Sequence, residues 1–161
     1  MIPPHLWDQL VLPFWDQYYT GKTTGTRSAH VEDLRPAQLP FLEEIGLAFY
    51  DPSISAKLNP KIVFDTCRVP FLWRLGSFHY TTMTGQEVED FVFQAVADGA
   101  SRVVTYIEGT MCSHETAGKV RAFIRAAKEV ERLLGEGCSR AEVGAHVSEA
   151  GKRKFWDNWL H

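Results

Sequence analysis

Residues 84–110 constrain the fold of this chain more strongly than any other stretch. They open with a capping box from Thr84 to Glu87, and the apolar residues that follow have the spacing of one face of an amphipathic helix. Gly99 suits the left-handed position just beyond such a helix. Residues 103–107 are then β-branched or aromatic on both faces, which is typical of a buried parallel strand. The stretch therefore predicts a helix that leads into a buried strand.

The same alternation extends along the rest of the chain. Further strands are predicted at residues 26–32, 47–51 and 69–75, and further helices at residues 36–45, 60–67 and 113–135. A first helix over residues 6–18 contains Pro13, which should kink or split it. A last helix is predicted over residues 139–160. Strands that alternate with helices in this order predict parallel pairing with right-handed crossovers.

Composition and charge narrow the range of functions. The chain has 161 residues, of which 45% are hydrophobic, so it can bury one core. Its 17 Lys and Arg residues are balanced by 20 Asp and Glu residues, which argues against a nucleic-acid partner. No apolar run approaches the roughly 20 residues that cross a bilayer, so we expect no membrane association and a cytoplasmic protein. Three widely spaced cysteines predict free thiols.

Four βα units are compatible with two architectures. One is a small open, doubly wound sheet, and the other is half of a (β/α)₈ barrel, whose full length is usually about 250 residues. The glycine-rich phosphate-binding motifs of nucleotide-binding open sheets do not follow any predicted strand. Their absence disfavours a dinucleotide-binding sheet without proving the barrel. In either case we expect one α/β domain over residues 1–136 and a helical extension over residues 137–161.

If the four units form half of a barrel, the strand ends and the loops after them form one rim, where barrel enzymes place their sites. The predicted rim residues are His30, Glu32, Asp33, Tyr50, Asp51, Ser53, Arg74, Ser77, His79, Tyr106, Glu108, Thr110 and Cys112. Arg74 lies inside an apolar strand, and an unpaired buried arginine is costly. We expect it to bind a carboxylate or to form an internal salt bridge.

Several segments resemble the C-terminal half of the uroporphyrinogen decarboxylase superfamily, which also contains zinc-dependent, corrinoid-linked methyltransferases. The similar segments are residues 6–15, 30–32, 35–46 and 108–116. The resemblance implies that residues 1–136 are a TIM-barrel-like half-barrel domain. The other half of the (β/α)₈ barrel would then come from another polypeptide, from a second copy of this chain, or from a longer parent protein. Because an uncovered half-barrel exposes strand edges and an apolar face, we predict an oligomer.

The resemblance also implies a metal site and a reaction. Methyltransferases of the superfamily bind zinc through a His-x-Cys pair and a distant cysteine. Here the pair reads His30 and Glu32, Thr110 matches the distant cysteine best, and Cys112 lies two residues further on. The implied zinc ligands are His30, Glu32 and Cys112, and the implied reaction is metal-assisted methyl transfer with a corrinoid protein as partner. Arg74, Tyr106 and Glu108 are the candidate catalytic residues.

Two other functions remain open. One is a decarboxylase-like site that uses fixed charges without a cofactor, with Arg74, Arg27 and Arg35 as its basic groups. The other is a non-catalytic half-barrel that completes or regulates another chain. The decarboxylase-like protein, like the methyltransferase, would act on a small-molecule substrate.

Purely structural interpretations of the same residues are also open. His30 is either a zinc ligand or a hydrogen-bonded rim histidine, and Glu32 with Asp33 could pair with Arg35 or Arg27. Cys112 could be an inert loop residue. His79 and His114 are expected to be solvated. On the long helix, the predicted apolar face comprises Val120, Phe123, Ile124, Ala127, Val130 and Leu134.

Overall fold

Four short strands alternate with helices in the order that the sequence predicts, in a computed structural model that describes residues 2–22 and 26–153. The strands are β1 (Arg27–His30), β2 (Leu47–Asp51), β3 (Leu72–Leu75) and β4 (Arg102–Thr105). The α-helices are α1 (Trp7–Leu10), α2 (Leu12–Tyr19), α3 (Pro40–Glu44), α4 (Pro60–Thr66), α5 (Gly85–Ala97), α6 (His114–Gly135) and α7 (Arg140–Gly144). Short 3₁₀ helices lie at Pro4–Leu6, Pro36–Gln38, Ser77–Thr81, Gly109–Met111 and Gly151–Arg153.

The strands form two parallel pairs. β1 pairs with β2, so that His30 lies opposite Asp51, and β3 pairs with β4 in an unbroken register. A single parallel bridge between Tyr50 and Phe71 joins β2 to the start of β3. The strands therefore follow one another in sequence order and all run in one direction. Within the described ranges they do not close into a barrel.

Local sequence signals account for most helix ends. The Thr84 hydroxyl accepts a hydrogen bond from the Glu87 amide, and the Glu87 carboxylate accepts one from the Thr84 amide, which confirms the predicted capping box. Asn59 caps α4 through its side chain, and Ser113 caps α6 in the same way. Gly99 has a φ of 112°, as its predicted position beyond α5 requires.

Prolines interrupt two of the predicted helices. The first one is divided at Val11, and Pro13 lies in the opening turn of α2, as expected. The helix predicted over residues 36–45 is also divided, into the 3₁₀ turn Pro36–Gln38 and α3. Its second proline, Pro40, has no N–H to donate, so a continuous α-helix cannot pass through it. The prediction of one helix there was wrong.

The predicted C-terminal helix is also shorter than expected. α7 has a capping box from Ser139 to Glu142 but ends at Gly144, and a 3₁₀ turn at Gly151–Arg153 follows. The Cβ of Ala97 on α5 lies only 3.0 Å from where a side chain on Gly144 would begin, so α7 packs closely against α5. Residues 154–160 of the predicted helix lie outside the described residues.

The two sides of the strands differ in burial. Tyr50, Phe71, Trp73 and Leu75 point to one side and are at most 2% exposed, because α4, α5 and α6 contribute to the core around them. The intervening residues point to the other side, which we call the open face. Its residues are Ser28, His30, Phe49, Asp51, Leu72, Arg74, Arg102 and Val104, and all are exposed or half-buried. Helices thus cover only one side of the strands.

The long helix α6 is apolar around more of its circumference than its packing uses. It buries Ala122, Phe123, Ala126, Val130 and Leu133, mainly against α5. Two residues of the predicted apolar face, Ile124 and Leu134, are instead 46% and 43% exposed.

No helix in residues 2–22 and 26–153 has both the length and the apolar character needed to cross a bilayer.

A buried carboxylate attaches the C-terminal segment to α5. Asp90 is 1% exposed, and it accepts hydrogen bonds from the Gln86 amide group at 3.0 Å and from the backbone N–H and hydroxyl of Ser148 at 2.9 and 2.5 Å. Hydrogen bonds to a charged group are worth more than neutral ones. Asp90 therefore holds residues 148–151 on the surface of α5.

We expect Asp90→Ala to lower the free energy of unfolding by about 2–4 kcal/mol, because it leaves the partly buried donors of Ser148 and Gln86 without their acceptor. Urea unfolding followed by circular dichroism measures this change. The matched control is Asp65→Ala, since Asp65 forms an exposed pair with Lys61 and its loss should cost less than about 1 kcal/mol. Equal losses in the two variants would contradict this role of Asp90.

Candidate functional site

The ends of β1, β2 and β3 bring three charged or titratable side chains together on the open face. His30, Asp51 and Arg74 each lie in the last two positions of their strand, and all three point to the same side. His30 Nδ1 is 2.9 Å from Asp51 Oδ2, and the Arg74 guanidinium donates to the same oxygen at 2.5 Å. We call these three residues the rim cluster. It lies where the barrel interpretation places a site.

Asp51 is the centre of the rim cluster. Its Oδ2 accepts from both neighbours, and its Oδ1 accepts a hydrogen bond from the backbone N–H of Ser53 at 2.8 Å. Burial alone would raise the pKa of this carboxyl. The hydrogen bonds from His30 and Ser53, together with the Arg74 charge, outweigh burial and lower the pKa below its usual value. Asp51 therefore remains an anion at neutral pH.

The Asp51 carboxylate orients the His30 imidazole. Because Nδ1 donates to Asp51, Nε2 is the nitrogen that faces the rim, and the side chain is half exposed there. Glu32 Oε1 lies 3.5 Å from Nε2. A histidine that a carboxylate holds in one tautomer can exchange a proton through its other nitrogen. The hydrogen-bonded rim histidine of the sequence analysis is thus the arrangement present.

The acidic residues after β1 do not pair with the arginines considered from the sequence. Asp33 lies 3.6 Å from Lys57, and Glu32 lies beside His30. Arg27 instead donates to Asp16 and to the Ile45 carbonyl oxygen, which ties β1 to α2. Both acidic residues therefore remain at the rim.

Arg74 forms the internal salt bridge that was one of its two expected roles. Its guanidinium has five N–H donors in a planar fork, and one of them binds Asp51. Its Nε is buried and has no hydrogen-bond partner among the described residues. The Tyr106 ring lies beside the guanidinium, with 5.8 Å between the ring centroid and Cζ. Arg74 thus has donors left with which to hold an anion.

The predicted zinc ligands are not brought together. In the described part of the chain, no group of three or more His, Cys, Asp or Glu side chains is placed to hold a metal ion. The Cys112 thiol is exposed, and its hydrogen-bond acceptor is the Glu108 carbonyl oxygen at 3.8 Å. His30 Nδ1 already donates to Asp51. Because these residues do not fit a zinc centre, we assign no chemical step to one.

The remaining predicted rim residues have different surroundings. Glu108 and Thr110 are exposed in the loop after β4, and Ser53 is half-buried. Tyr50 is fully buried, and its hydroxyl donates to the Val31 carbonyl oxygen. Burial raises its pKa. Tyr50 therefore belongs to the core and not to the site.

His79 differs from the sequence expectation. Its Nδ1 accepts a hydrogen bond from the Gly76 amide at 3.1 Å, and its ring lies 4.0 Å from that of Phe78. Burial lowers its pKa to about 4. The expected solvated histidine is therefore a neutral, partly buried one, whereas His114 is exposed as expected.

Sequence reasoning did not single out the central role of Asp51. It placed Asp51 on the rim, but chose Arg74, Glu108 and Tyr106 as the candidate catalytic residues. Two signals were available. Asp51 ends β2, which follows the strand that ends at His30, and Arg74 in β3 needs an anionic partner. Lys119 was missed too, and it reaches from α6 to the Tyr80 carbonyl oxygen at 2.7 Å.

Comparison of the chain with protein-family models, with curated proteins and with solved structures finds no match.

We expect Asp51→Ala to destabilise the fold by about 1–3 kcal/mol, because it leaves the Arg74 guanidinium without its partner in a partly buried position. Asp65→Ala is the matched control. It removes an exposed carboxylate that pairs with Lys61 and should cost less than about 1 kcal/mol. Chemical unfolding at neutral pH compares the two, and equal effects would show that Asp51 is not the centre of the cluster.

We expect stability to fall as the pH is lowered from 6.5 towards 4, in part because of His79. Its pKa is about 4 in the fold and 6.5 as the ordinary value, so the unfolded chain binds the extra proton in that window. Since the group is only partly buried, its share is at most about 2 kcal/mol.

His79→Gln, which keeps an acceptor for the Gly76 amide, should remove this share. The difference in unfolding free energy between the wild type and this variant should therefore be smaller near pH 4 than at pH 7. An NMR titration that gives His79 a pKa above 6 would contradict the burial.

Proposed function

We propose that this chain is half of a (β/α)₈ barrel, and that its rim cluster binds a carboxylate-bearing small molecule and transfers a proton to it. The strands are parallel, follow the sequence order and alternate with helices. Parallel sheets in open α/β folds are usually covered on both faces, whereas barrel strands face helices on one side only. The open face therefore supports a barrel interior.

The observation that carries the proposed chemistry is the pairing of both His30 and Arg74 with one Asp51 oxygen. It puts a proton donor and a cation side by side at the carboxyl ends of parallel strands. Asp51 accepts the hydrogen bond from His30 Nδ1 and so orients its Nε2 towards the rim. The remaining donors of Arg74 can hold a carboxylate through charge-assisted hydrogen bonds.

A decarboxylation fits these groups and needs no cofactor. The bond from carbon to the departing carboxylate breaks, CO₂ leaves, and the electron pair of that bond stays on the carbon. Protonated His30 gives its Nε2 proton to that carbon and is reprotonated by solvent. Arg74 holds a second carboxylate of the substrate and stabilises the negative charge of the intermediate. Tyr106, beside Arg74, forms a wall of this site.

This proposal corresponds to the decarboxylase-like branch of the resemblance. Methyl transfer with zinc and a corrinoid partner depends on His30, Glu32 and Cys112 acting as one ligand set, and the observed positions of these residues do not support that set. Glu108 is exposed and receives no role here. The proposed function therefore uses fixed charges alone.

Binding of a tetracarboxylate tetrapyrrole, measured by fluorescence quenching against its uncharged tetraester, tests the proposal. The acid should bind at least about tenfold more tightly than the ester, since each charge-assisted hydrogen bond is worth more than about 1 kcal/mol. Arg74→Met should remove most of that preference. Arg68→Met is the matched control, because Arg68 is an exposed arginine that precedes β3, at the opposite end of that strand.

His30→Gln separates binding from proton transfer. It should bind the acid almost as the wild type does, yet release no CO₂ from the corresponding reduced porphyrinogen. Equal affinity for acid and ester, or an equal loss in Arg68→Met, would contradict carboxylate binding. Unchanged CO₂ release in His30→Gln would contradict the role of His30.

A further inference from the structure

A second apolar stripe on α6 is left largely uncovered by the described residues. It comprises Val120, Ile124, Ala127 and Leu134, whose spacings of four, three and seven residues are those of a helix–helix seam. Val120 and Ala127 are half-buried at the edge of the core, whereas Ile124 and Leu134 are exposed. The stripe lies beside the face that packs on α5, so α6 has a second apolar surface on which another helix can pack.

A matching stripe lies at the other end of the strand order. Leu10, Phe14 and Tyr18 are four residues apart on α1 and α2 and are 50%, 63% and 66% exposed. Phe14 and Tyr18 line a groove of about 610 Å³ that runs along residues 28–31, at the end of β1. β1 pairs only with β2 in the described ranges, so its other edge has no strand partner, although the Tyr19 hydroxyl donates to the Ser28 carbonyl oxygen.

Charged side chains of both signs border the two stripes. On the first helices Asp16 already pairs with Arg27, and Lys22 lies over the Tyr18 ring. On α6 the exposed Arg121 and Lys128 lie beside Ile124, whereas the exposed Glu131 lies between Ala127 and Leu134. The match between the two stripes is therefore one of apolar surface and not of charge.

We infer that the missing half of the barrel is a second copy of this chain. β1 of each copy lies beside β4 of the other, and α6 of each copy packs on α1 and α2 of the other. The inference rests on the half-barrel of the proposed function. A two-fold axis along the barrel keeps all strands parallel, and four strands from each copy give the eight that close a barrel.

This arrangement covers what one copy leaves open. Both free strand edges gain partners, both apolar stripes leave water, and the open face becomes the interior of the barrel. The two rim clusters then lie at the same mouth on opposite sides of the two-fold axis. A substrate with several carboxylates could span them.

The mass of the purified chain tests the inference. Sedimentation equilibrium should give twice the 18.3 kDa of one chain. Ile124→Glu on α6 and Phe14→Lys on α2 should each raise the dimer dissociation constant by at least about 100-fold, because each places a charge in both seams. Leu134→Glu and Tyr18→Lys form a second pair. Phe64→Glu, at an exposed phenylalanine outside both stripes, is the matched control and should remain a dimer.

Mixing the two variants distinguishes this seam from other dimers. A dimer of one Ile124→Glu copy and one Phe14→Lys copy has two different seams. One seam joins two unaltered stripes, and the other brings together the two introduced side chains, whose charges are opposite. An equimolar mixture of the variants should therefore recover a dimer that neither forms alone.

A monomeric wild type, a dimer unaffected by both variants, or a mixture that stays monomeric would overturn the inference. Circular dichroism melts confirm that the variants are folded. The carboxylate-binding assay is read separately from mass. Dimers that do not bind the charged tetrapyrrole contradict only the proposed function, and monomers that bind it contradict only the dimer.

Discussion

The alternation of side chains along β2 and β3 is the constraint on which the rest of the structure depends. Tyr50, Trp73 and Leu75 are completely buried under the helices. Because neighbouring strand residues point in opposite directions, burying these three forces Asp51 and Arg74 onto the open face. The burial of the core residues thus determines on which face the rim cluster lies. A one-residue shift in either strand would exchange the core residues for the charged ones.

The position of the rim cluster at the strand ends makes its charges tolerable. An isolated charge in the middle of a sheet loses its hydration and gains little in return. At the rim, Asp51 accepts hydrogen bonds from a histidine, an arginine and a backbone N–H, and the cluster still touches solvent. The contacts that stabilise the Asp51 anion also hold His30 and Arg74 in place. The interactions that favour the fold therefore also preorganise the site.

The sequence predicted local features better than relations between distant residues. The capping box at Thr84, the strand at residues 47–51 and the left-handed Gly99 all depend on a few neighbouring residues, and the structure confirms them. The pairing of His30 with Asp51 depends on strand register, which no local pattern encodes. The burial of His79 depends on packing by residues distant in sequence. A local pattern does not reveal such packing, so the sequence analysis wrongly predicted a solvated His79.

The exposed stripe on α6 shows a different limit of prediction from sequence. The same stripe also connects the rim cluster to the proposed dimer. A helical pattern reveals that Ile124 and Leu134 are apolar and aligned, but not whether the surface that covers them belongs to the same chain. If a second copy closes the open face, the rim cluster loses part of its contact with water. Asp51 and Arg74 already neutralise each other, so closing the barrel would bury a pair and not a lone charge. In the drier environment both the orientation of His30 and the attraction of Arg74 for a carboxylate become stronger.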